Sequence, residues 1–369
     1  MNVLMLLSNP FVNDSRVYSE AVSLVNAGYK VSIIAWDRAG NNKLKETRDE
    51  IMVYRIKNDL VMKVMQKPLL QIPLFWKKAI SFAKNLKFDV IHCHDLDTLY
   101  IGIKLKQQFN ARLIYDAHEV YPYLLERDLS KLFIPLFSRI EKTGAEFADA
   151  LIIADESYED YFRIYGYSNI TTVLNTKPLF FNEYIAPKND TLSLVYVGSL
   201  TKPRFIMELI EVVGNMKAIK LMIAGKGGLT KIVAEKAQQF ENIIFVGEIS
   251  FDEIIPFTHR GDVAICMINP ADKNNQIASA NKQFEAMVAG RPIIATKGTR
   301  SGEITAQQKC GLVIDYNKEA LKNAIERLRN DSELRKQLGQ NALKAAIEKY
   351  NWGSDQQKLL NVYTKFEQI

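Results

Sequence analysis

Short apolar runs alternate with stretches of helical spacing from one end of the chain to the other, a pattern that predicts parallel sheets built from βαβ units. In the first half the runs predict strands at Val3–Leu7, Val31–Ala35, Met52–Ile56, Val90–His92, Leu113–Tyr115 and Leu151–Ala154. The helix after the first strand is expected to start near Asn13 or Asp14, both good N-caps. The pattern breaks between Pro178 and Asp190, where Lys177-Pro178 and Ala186-Pro187-Lys188-Asn189-Asp190 read as a linker. It restarts with predicted strands at Leu194–Val197, Leu221–Ala224, Ile243–Val246, Val263–Met267, Ile293–Ala295 and Leu312–Ile314. Helices fill most of the gaps and the tail, and neither a repeat nor a low-complexity tract interrupts them.

A chain of 369 residues is too long for one ordinary core and fits two α/β domains. Apolar residues at 47% and charged residues at 24% describe a soluble globular protein. The net charge of +6 is a mild excess that gives no case for nucleic acid, and none is expected as a partner. Cys93, Cys266 and Cys310 lie far apart, two of them in strand-like runs, so buried free thiols in a reducing compartment are expected. Met1 to Leu7 lack a basic leader and a cleavage site, and no stretch is apolar for long enough to cross a bilayer. The expected location is the cytoplasm.

The most specific chemical signal is Asn281-Lys282-Gln283-Phe284-Glu285-Ala286-Met287-Val288-Ala289-Gly290-Arg291-Pro292, followed by the strand Ile293–Ala295. A polar head starts an apolar helix, and the Gly-x-Pro turn feeds a buried strand. The run places a carboxylate and a cation at the mouth of a parallel sheet, where open α/β folds bind ligands. Glu285 is expected in the first helical turn, where the macrodipole tolerates a carboxylate that can accept two hydrogen bonds from a vicinal diol. An amphipathic helix with a solvated first turn is the competing reading.

This segment closely resembles the donor-binding segment of the retaining, family-4 type of GT-B glycosyltransferase, and the resemblance covers essentially the whole chain. It implies an α/β fold of GT-B architecture, two facing Rossmann-like domains with a cleft between them. In the family the glutamate matching Glu285 holds the ribose of the nucleotide, and the resemblance places Lys282 and Asn281 beside the diphosphate and donor sugar. The chain departs from the family pattern at Ile277, where a second glutamate normally engages the sugar. Ser279, Asn281 and backbone amides at the helix start are the candidate replacements.

A second signal, Val197-Gly198-Ser199-Leu200-Thr201-Lys202-Pro203-Arg204-Phe205, follows the first strand of the second half. Gly198 allows close backbone approach, and cations here can neutralise a diphosphate leaving group. The family commonly carries an arginine where this chain has Ser199 and a lysine where it has Arg204. Arg204 is therefore the candidate phosphate ligand, with Lys202 second; a solvated charged loop is the alternative. Gly225 and Gly227, in Ala224-Gly225-Lys226-Gly227-Gly228, lie between a strand and a helix, where amides can converge on an anion. A purely structural turn fits the same residues.

In the first half, His118 of Tyr115-Asp116-Ala117-His118-Glu119 resembles the family histidine that faces the donor sugar. It can hydrogen-bond a sugar hydroxyl or stabilise charge near the reacting centre. His92 and His94 alternate on a strand end, but no His/Cys/Asp set of convincing ligand spacing accompanies them, so no metal site is expected. His94 and Asp95 are candidate cleft residues, and His92 reads as structural. Asn13, Asp14 and Arg16 lie in the loop that grips acceptor or donor diphosphate in this family; an N-cap followed by a surface arginine is the alternative. Between Lys57 and Lys87, lysines interleave with Leu60, Val61, Met62, Leu69, Leu70, Phe75 and Trp76, which fits an anionic membrane surface or a solvated face over a core-packed helix.

The resemblance implies transfer of a sugar from a nucleotide-sugar donor to a glycan or lipid-linked acceptor, with configuration retained. His118, Arg204 and Lys282 are the expected catalytic groups, and closure of the cleft is expected to bring donor and acceptor together. The nucleotide-sugar is a co-substrate; no cofactor and no metal are expected. Three regions are expected: residues 1–180 as the acceptor-side domain, 181–340 as the donor domain, and 341–369 as a C-terminal helix crossing back to the first domain. An ordinary C-terminal helix fits that tail equally well. The location is the cytoplasm or the inner face of the cell membrane. Two rival functions stay open: a catalytically inactive GT-B-like partner subunit, favoured by Ser199 and Ile277, and a nucleotide-sugar epimerase.

Overall fold

A computed structural model describes residues 1–58, 68–126, 134–164, 166–167 and 169–367. It divides into two compact units, Met1–Val173 with Gln356–Ile369, and Leu174–Asp355.

The first unit runs β1 (Asn2–Leu7), α1 (Ser15–Asn26), β2 (Lys30–Asp37), β3 (Lys45–Arg48), β4 (Ile51–Lys57), α2 (Pro68–Ala83), β5 (Val90–His94), α3 (Leu96–Phe109), β6 (Arg112–Ala117), α4 (Tyr121–Leu125), α5 (Ile134–Ala145), β7 (Ala150–Ile153), α6 (Glu159–Arg163) and β8 (Ile170–Thr172). The 8-stranded sheet has the order β3-β4-β2-β1-β5-β6-β7-β8. All neighbours pair in parallel except β3 with β4. Chain direction across the sheet reverses at the β1/β5 boundary, so the loops after these two strands diverge and leave space at their carboxyl ends.

The second unit runs β9 (Leu192–Val197), α7 (Ile206–Gly214), β10 (Ile219–Ala224), α8 (Thr230–Ala237), β11 (Ile243–Phe245), α9 (Ile254–His259), β12 (Val263–Cys266), α10 (Lys273–Ile277), α11 (Asn281–Val288), β13 (Ile293–Thr296), α12 (Arg300–Gln307), β14 (Gly311–Ile314), α13 (Lys318–Asn330) and α14 (Ser332–Glu348). The last helix, α15 (Trp352–Glu367), starts in this unit and continues into residues that group with the first. The 6-stranded parallel sheet has the order β11-β10-β9-β12-β13-β14, the doubly wound arrangement, with its switch point between β9 and β12.

Every strand predicted from the apolar runs is present, and burial explains why. Strand β9 is buried along its whole length and β1 along all but its first residue, so both faces are covered and the runs lack alternation. The pattern missed β3, a polar and largely exposed edge strand, and β8, three half-buried residues. Helix α1 is capped by Asp14, whose carboxylate accepts from the Val17 amide.

The unit boundary differs from the expected one at 180/181. Thr176 donates to Asp355 at 2.6 Å and Lys177 bridges Asn351, so the segment from Leu174 onward belongs with the second unit. Residues 341–355 also group there, leaving only the part from Gln356 with the first.

Within the basic-aromatic stretch, residues 59–67 lie outside the described residues, among them Lys63 and Lys67. In the described part, Gln71, Phe75, Ala79 and Ala83 form a buried stripe of α2 at helical spacing. Phe75 stacks on Trp36 with ring centroids 4.7 Å apart, and the Trp76 indole donates to the Asp97 carbonyl at 2.6 Å. Phe75 is thus core-packed, while Lys77, Lys84 and Lys87 are exposed. Among the described residues, no helix is long and apolar enough to cross a membrane. All three cysteines are free and buried.

Candidate functional site

In the second unit, the loop after β9 and the segment after β12 meet at the switch point, where the Asn269 amide donates to the Pro203 carbonyl at 3.0 Å. Gly198 leaves β9 with φ +141°, a conformation that favours glycine. A Cβ on it would stand 3.5 Å from Lys282 Nζ, so Lys282 reaches across from the first turn of α11 to the mouth of β9. Its ammonium lies 3.9 Å over the Tyr196 ring, a cation–π contact, and Tyr196 donates its hydroxyl to the Ser199 carbonyl at 2.6 Å.

Lys282 Nζ is buried and has no hydrogen-bond partner among the described residues. Burial and the neighbouring Arg204 lower its pKa to about 8, against smaller support from Cys266 and Glu285. Lys282 and Arg204 are thus mutually repelling cations, with Lys282 at the start of α11. An uncompensated buried charge is costly, and both the cations and the helix end favour an anionic ligand.

Glu285 is buried at 6% exposure. It stands one residue beyond the first turn of α11, because the helix begins at Asn281; the expected first-turn position is corrected accordingly. Burial raises its pKa, opposed first by Lys177 and then by Lys282. Lys177 was not singled out from the sequence. It is 4% exposed, with Nζ 4.0 Å from Glu285 Oε1.

The remaining candidates of this unit divide. Arg204 closes a single 3₁₀ turn and is half-buried; Ser199 and Asn281 are exposed, and Ser279 is half-buried just before α11. Ile277, where the family glutamate was sought, ends α10. The amides of Gly225 and Gly227 do not converge on an anion: they donate to Gly247 O at 2.7 Å and Thr230 Oγ1 at 2.8 Å. These glycines serve packing. A Cβ on Gly225 would meet Gly198 O at 1.9 Å, and one on Gly227 would meet Leu200 O at 2.5 Å, so they let the loops after β9 and β10 touch.

The first unit assembles a different centre. Arg16 is not a surface arginine; it is 3% exposed and its guanidinium joins α1 to β6. Its Nη2 and Nε reach Asp116 Oδ1 and Oδ2 at 2.8 and 3.3 Å, Nε reaches Glu20 Oε1 at 3.1 Å, and Nη1 donates to the Val173 carbonyl at 2.7 Å. His92 and His94 stack on each other and face the same carboxylates, and His92 Nδ1 bonds the Tyr363 hydroxyl at 2.7 Å.

Contrary to the spacing argument, the fold therefore does gather Glu20, His92, His94 and Asp116, with one potential ligand atom from each within 4.8 Å of the others. Arg16 joins the same set, with ion-pair contacts to Glu20 and Asp116. Burial pushes Glu20 up to about 8 with Asp116 adding to it, while Arg16 and His118 hold Asp116 well below the carboxylate range against its own burial.

His118 is more exposed than His94 and Asp116. Nε2 lies 3.2 Å from Asp116 Oδ2 and 3.0 Å from His94 Nδ1, and Nδ1 lies 3.6 Å from Asp95 Oδ2. Burial pulls its pKa down, but Asp95 and Asp116 outweigh that and raise it to about 10. The imidazolium therefore has carboxylates on both ring nitrogens. Asp95 accepts from the His118 amide and holds φ +64° directly after β5. His94 is buried at 2% exposure, not open to a ligand, and Asp14 is committed to its cap and to Asn9. Asn13 is exposed in the loop after β1.

Each unit is a doubly wound α/β sheet with a switch point, the place where such folds bind ligands. Residues 15–176 match the family model described as Glycosyltransferase Family 4, and residues 191–331 match the model described as Glycosyl transferases group 1. An uncharacterised glycosyltransferase of Methanocaldococcus jannaschii is 23% identical over 307 residues, covering 75% of each chain. Sucrose-phosphate synthase from Thermosynechococcus elongatus aligns with a TM-score of 0.81 at 18% identity, covering 99% of both chains. HepE of Anabaena, solved in complex with UDP-glucose, aligns with a TM-score of 0.76 at 15% identity, over 99% of this chain and 100% of that one. Together these findings support an α/β glycosyltransferase of GT-B fold.

Proposed function

We propose that the second unit binds a nucleotide-sugar and that the protein transfers its sugar, with retention of configuration and without a metal ion, to a lipid-linked or glycan acceptor held by the first unit. The observation that carries this reading is that the buried Lys282 ammonium, beside Arg204, has no hydrogen-bond partner among the described residues. A diphosphate would satisfy both cations in the ground state, and they would stabilise it further as it leaves with added negative charge. Glu285, on the same helix as Lys282, would accept from the ribose diol.

On the acceptor side, a groove of about 850 Å³ in the first unit is walled by α2, α3 and α5. Its lining includes Trp76, Leu99, Tyr100, Leu136 and Ile140, with polar residues such as Asp97 and Lys104 among them. An apolar wall beside a few polar groups suits an acceptor with a hydrocarbon portion, which favours the lipid-linked class over a bare glycan. Leu136, Ile140 and Phe147 of this lining are exposed, which supports association with a membrane face.

The test is calorimetric titration of UDP, GDP and ADP, free and as sugar conjugates, into wild type and Glu285→Ala without added metal. The expected result is selective binding of one base series to wild type, weakened about tenfold or more by the substitution, as for loss of a charged hydrogen-bond acceptor. Donor consumption with acceptor-dependent product then separates a transferase from a binding subunit. Absence of binding in every series would remove the basis of the reading.

A further inference from the structure

Lys177 lies in the segment that precedes β9, far from any motif, yet it is among the most buried charged residues of its unit. Its backbone is fixed from two sides. It forms a parallel bridge with Asn351, and its carbonyl accepts from the Trp352 amide at 3.0 Å. The preceding Thr176 donates its hydroxyl to Asp355 at 2.6 Å. Asn351 is anchored in turn: its side-chain amide donates to Ala346 O and Ile347 O, and its carbonyl oxygen accepts from the Ser354 amide. The result is a short strap, 176–177, clamped by the start of α15.

The strap aims one side chain into the candidate donor site. Lys177 Nζ is 4.0 Å from Glu285 Oε1, 3.3 Å from Asn175 Oδ1 and 5.2 Å from the Phe251 ring centre. Burying a carboxylate at 6% exposure favours its protonated form, which accepts fewer hydrogen bonds from a diol. Lys177 is the largest influence opposing that tendency, ahead of Lys282.

We infer that Lys177 is a positioning residue that holds Glu285 in place and ionised, so that recognition of the nucleotide's ribose depends on the strap clamped by Asn351, Trp352 and Asp355. The inference rests on the donor-site reading above. It assigns distinct tasks to three cations: Lys282 and Arg204 face the diphosphate, and Lys177 serves the carboxylate that meets the sugar of the nucleoside. Lys177 touches no reacting atom, so its loss is expected to act on binding of the ribose rather than on the chemical step.

The experiment measures affinities of UDP, GDP and ADP and of their 2′,3′-dideoxy forms for wild type, Lys177→Met, Lys177→Arg and Glu285→Ala, from pH 6 to pH 9. For the base that binds, wild type should prefer the ribose form by about tenfold or more. Lys177→Met should lose most of that preference at the acidic end of the range through weaker binding of the ribose form, with the dideoxy form unchanged. As pH rises and Glu285 ionises without help, the preference should return. Lys177→Arg should retain it throughout.

A Lys177→Met protein that keeps the wild-type preference at every pH would overturn the inference. If Glu285→Ala also keeps it, the reading of Glu285 itself is lost; if only Glu285→Ala collapses it, the assignment of Lys177 alone fails. Should Lys177→Met not fold, Lys177→Gln preserves the backbone bridge, and the same two outcomes decide.

Discussion

Lys282→Met is expected to abolish most sugar transfer while making the free protein more stable. Methionine preserves the length and the contact with the Tyr196 ring but removes a buried ammonium that has no hydrogen-bond partner among the described residues. Loss of a group aimed at developing charge typically lowers turnover about 10²- to 10³-fold. Removing the unpaired charge should stabilise the unliganded fold by on the order of 1–3 kcal/mol.

The pH dependence follows from the sign of the shift. A lysine lowered to about 8 costs stability wherever it is protonated in the folded state, and the cost fades as pH rises from 8 towards the unfolded value of 10.5. The stability advantage of Lys282→Met should therefore be full at pH 7 and shrink above pH 8. Thermal melts across that range check it. A variant that is both active and no more stable would show that the ammonium is neither unpaired nor a ligand for phosphate.

The second large effect concerns folding of the first unit. Arg16→Met removes the guanidinium shared by Glu20, Asp116 and the Val173 carbonyl, leaving Asp116 to the His118 imidazolium and stripping buried acceptors of a donor. Breaking such a network by deleting one partner costs about 3–5 kcal/mol. Two of the three tryptophans, Trp36 and Trp76, lie in this unit, so urea unfolding followed by their fluorescence reports it. The midpoint should fall by on the order of 1–2 M. Glu20→Gln should cost far less at pH 7, because burial already keeps Glu20 protonated up to about 8. Equal losses for the two variants would contradict the charge assignment.

That network marks where the sequence became hard to read. The strands were legible because burial on both faces leaves near-continuous apolar runs such as Leu192–Val197. The donor segment was legible because Lys282 and Glu285 are close together on one helix. Arg16 looked like a surface residue after an N-cap, although its i,i+4 partner Glu20 shares the helix face of Val17, Ala21 and Leu24. That charged pair on an apolar face was the available signal. Its other partners, Asp116 and His92, are brought to α1 by the order of strands β1, β5 and β6, which no local pattern encodes. Lys177 was invisible for the same reason: it sits in a segment read as part of a linker, and Glu285 is joined to it by the fold alone. The glycines at 225 and 227 were legible as a turn, but only the geometry shows that their amides are already spent on Gly247 and Thr230.

The central claim is that Lys282 and Arg204 form a diphosphate site. The most direct measurement compares a nucleoside, its monophosphate and its diphosphate, in whichever base series binds, titrated into wild type and Lys282→Met at pH 7. The diphosphate is expected to gain markedly over the monophosphate in wild type, and this gain should largely disappear in Lys282→Met. An equal gain in both proteins, or none in wild type, would place the phosphates elsewhere and contradict the central claim.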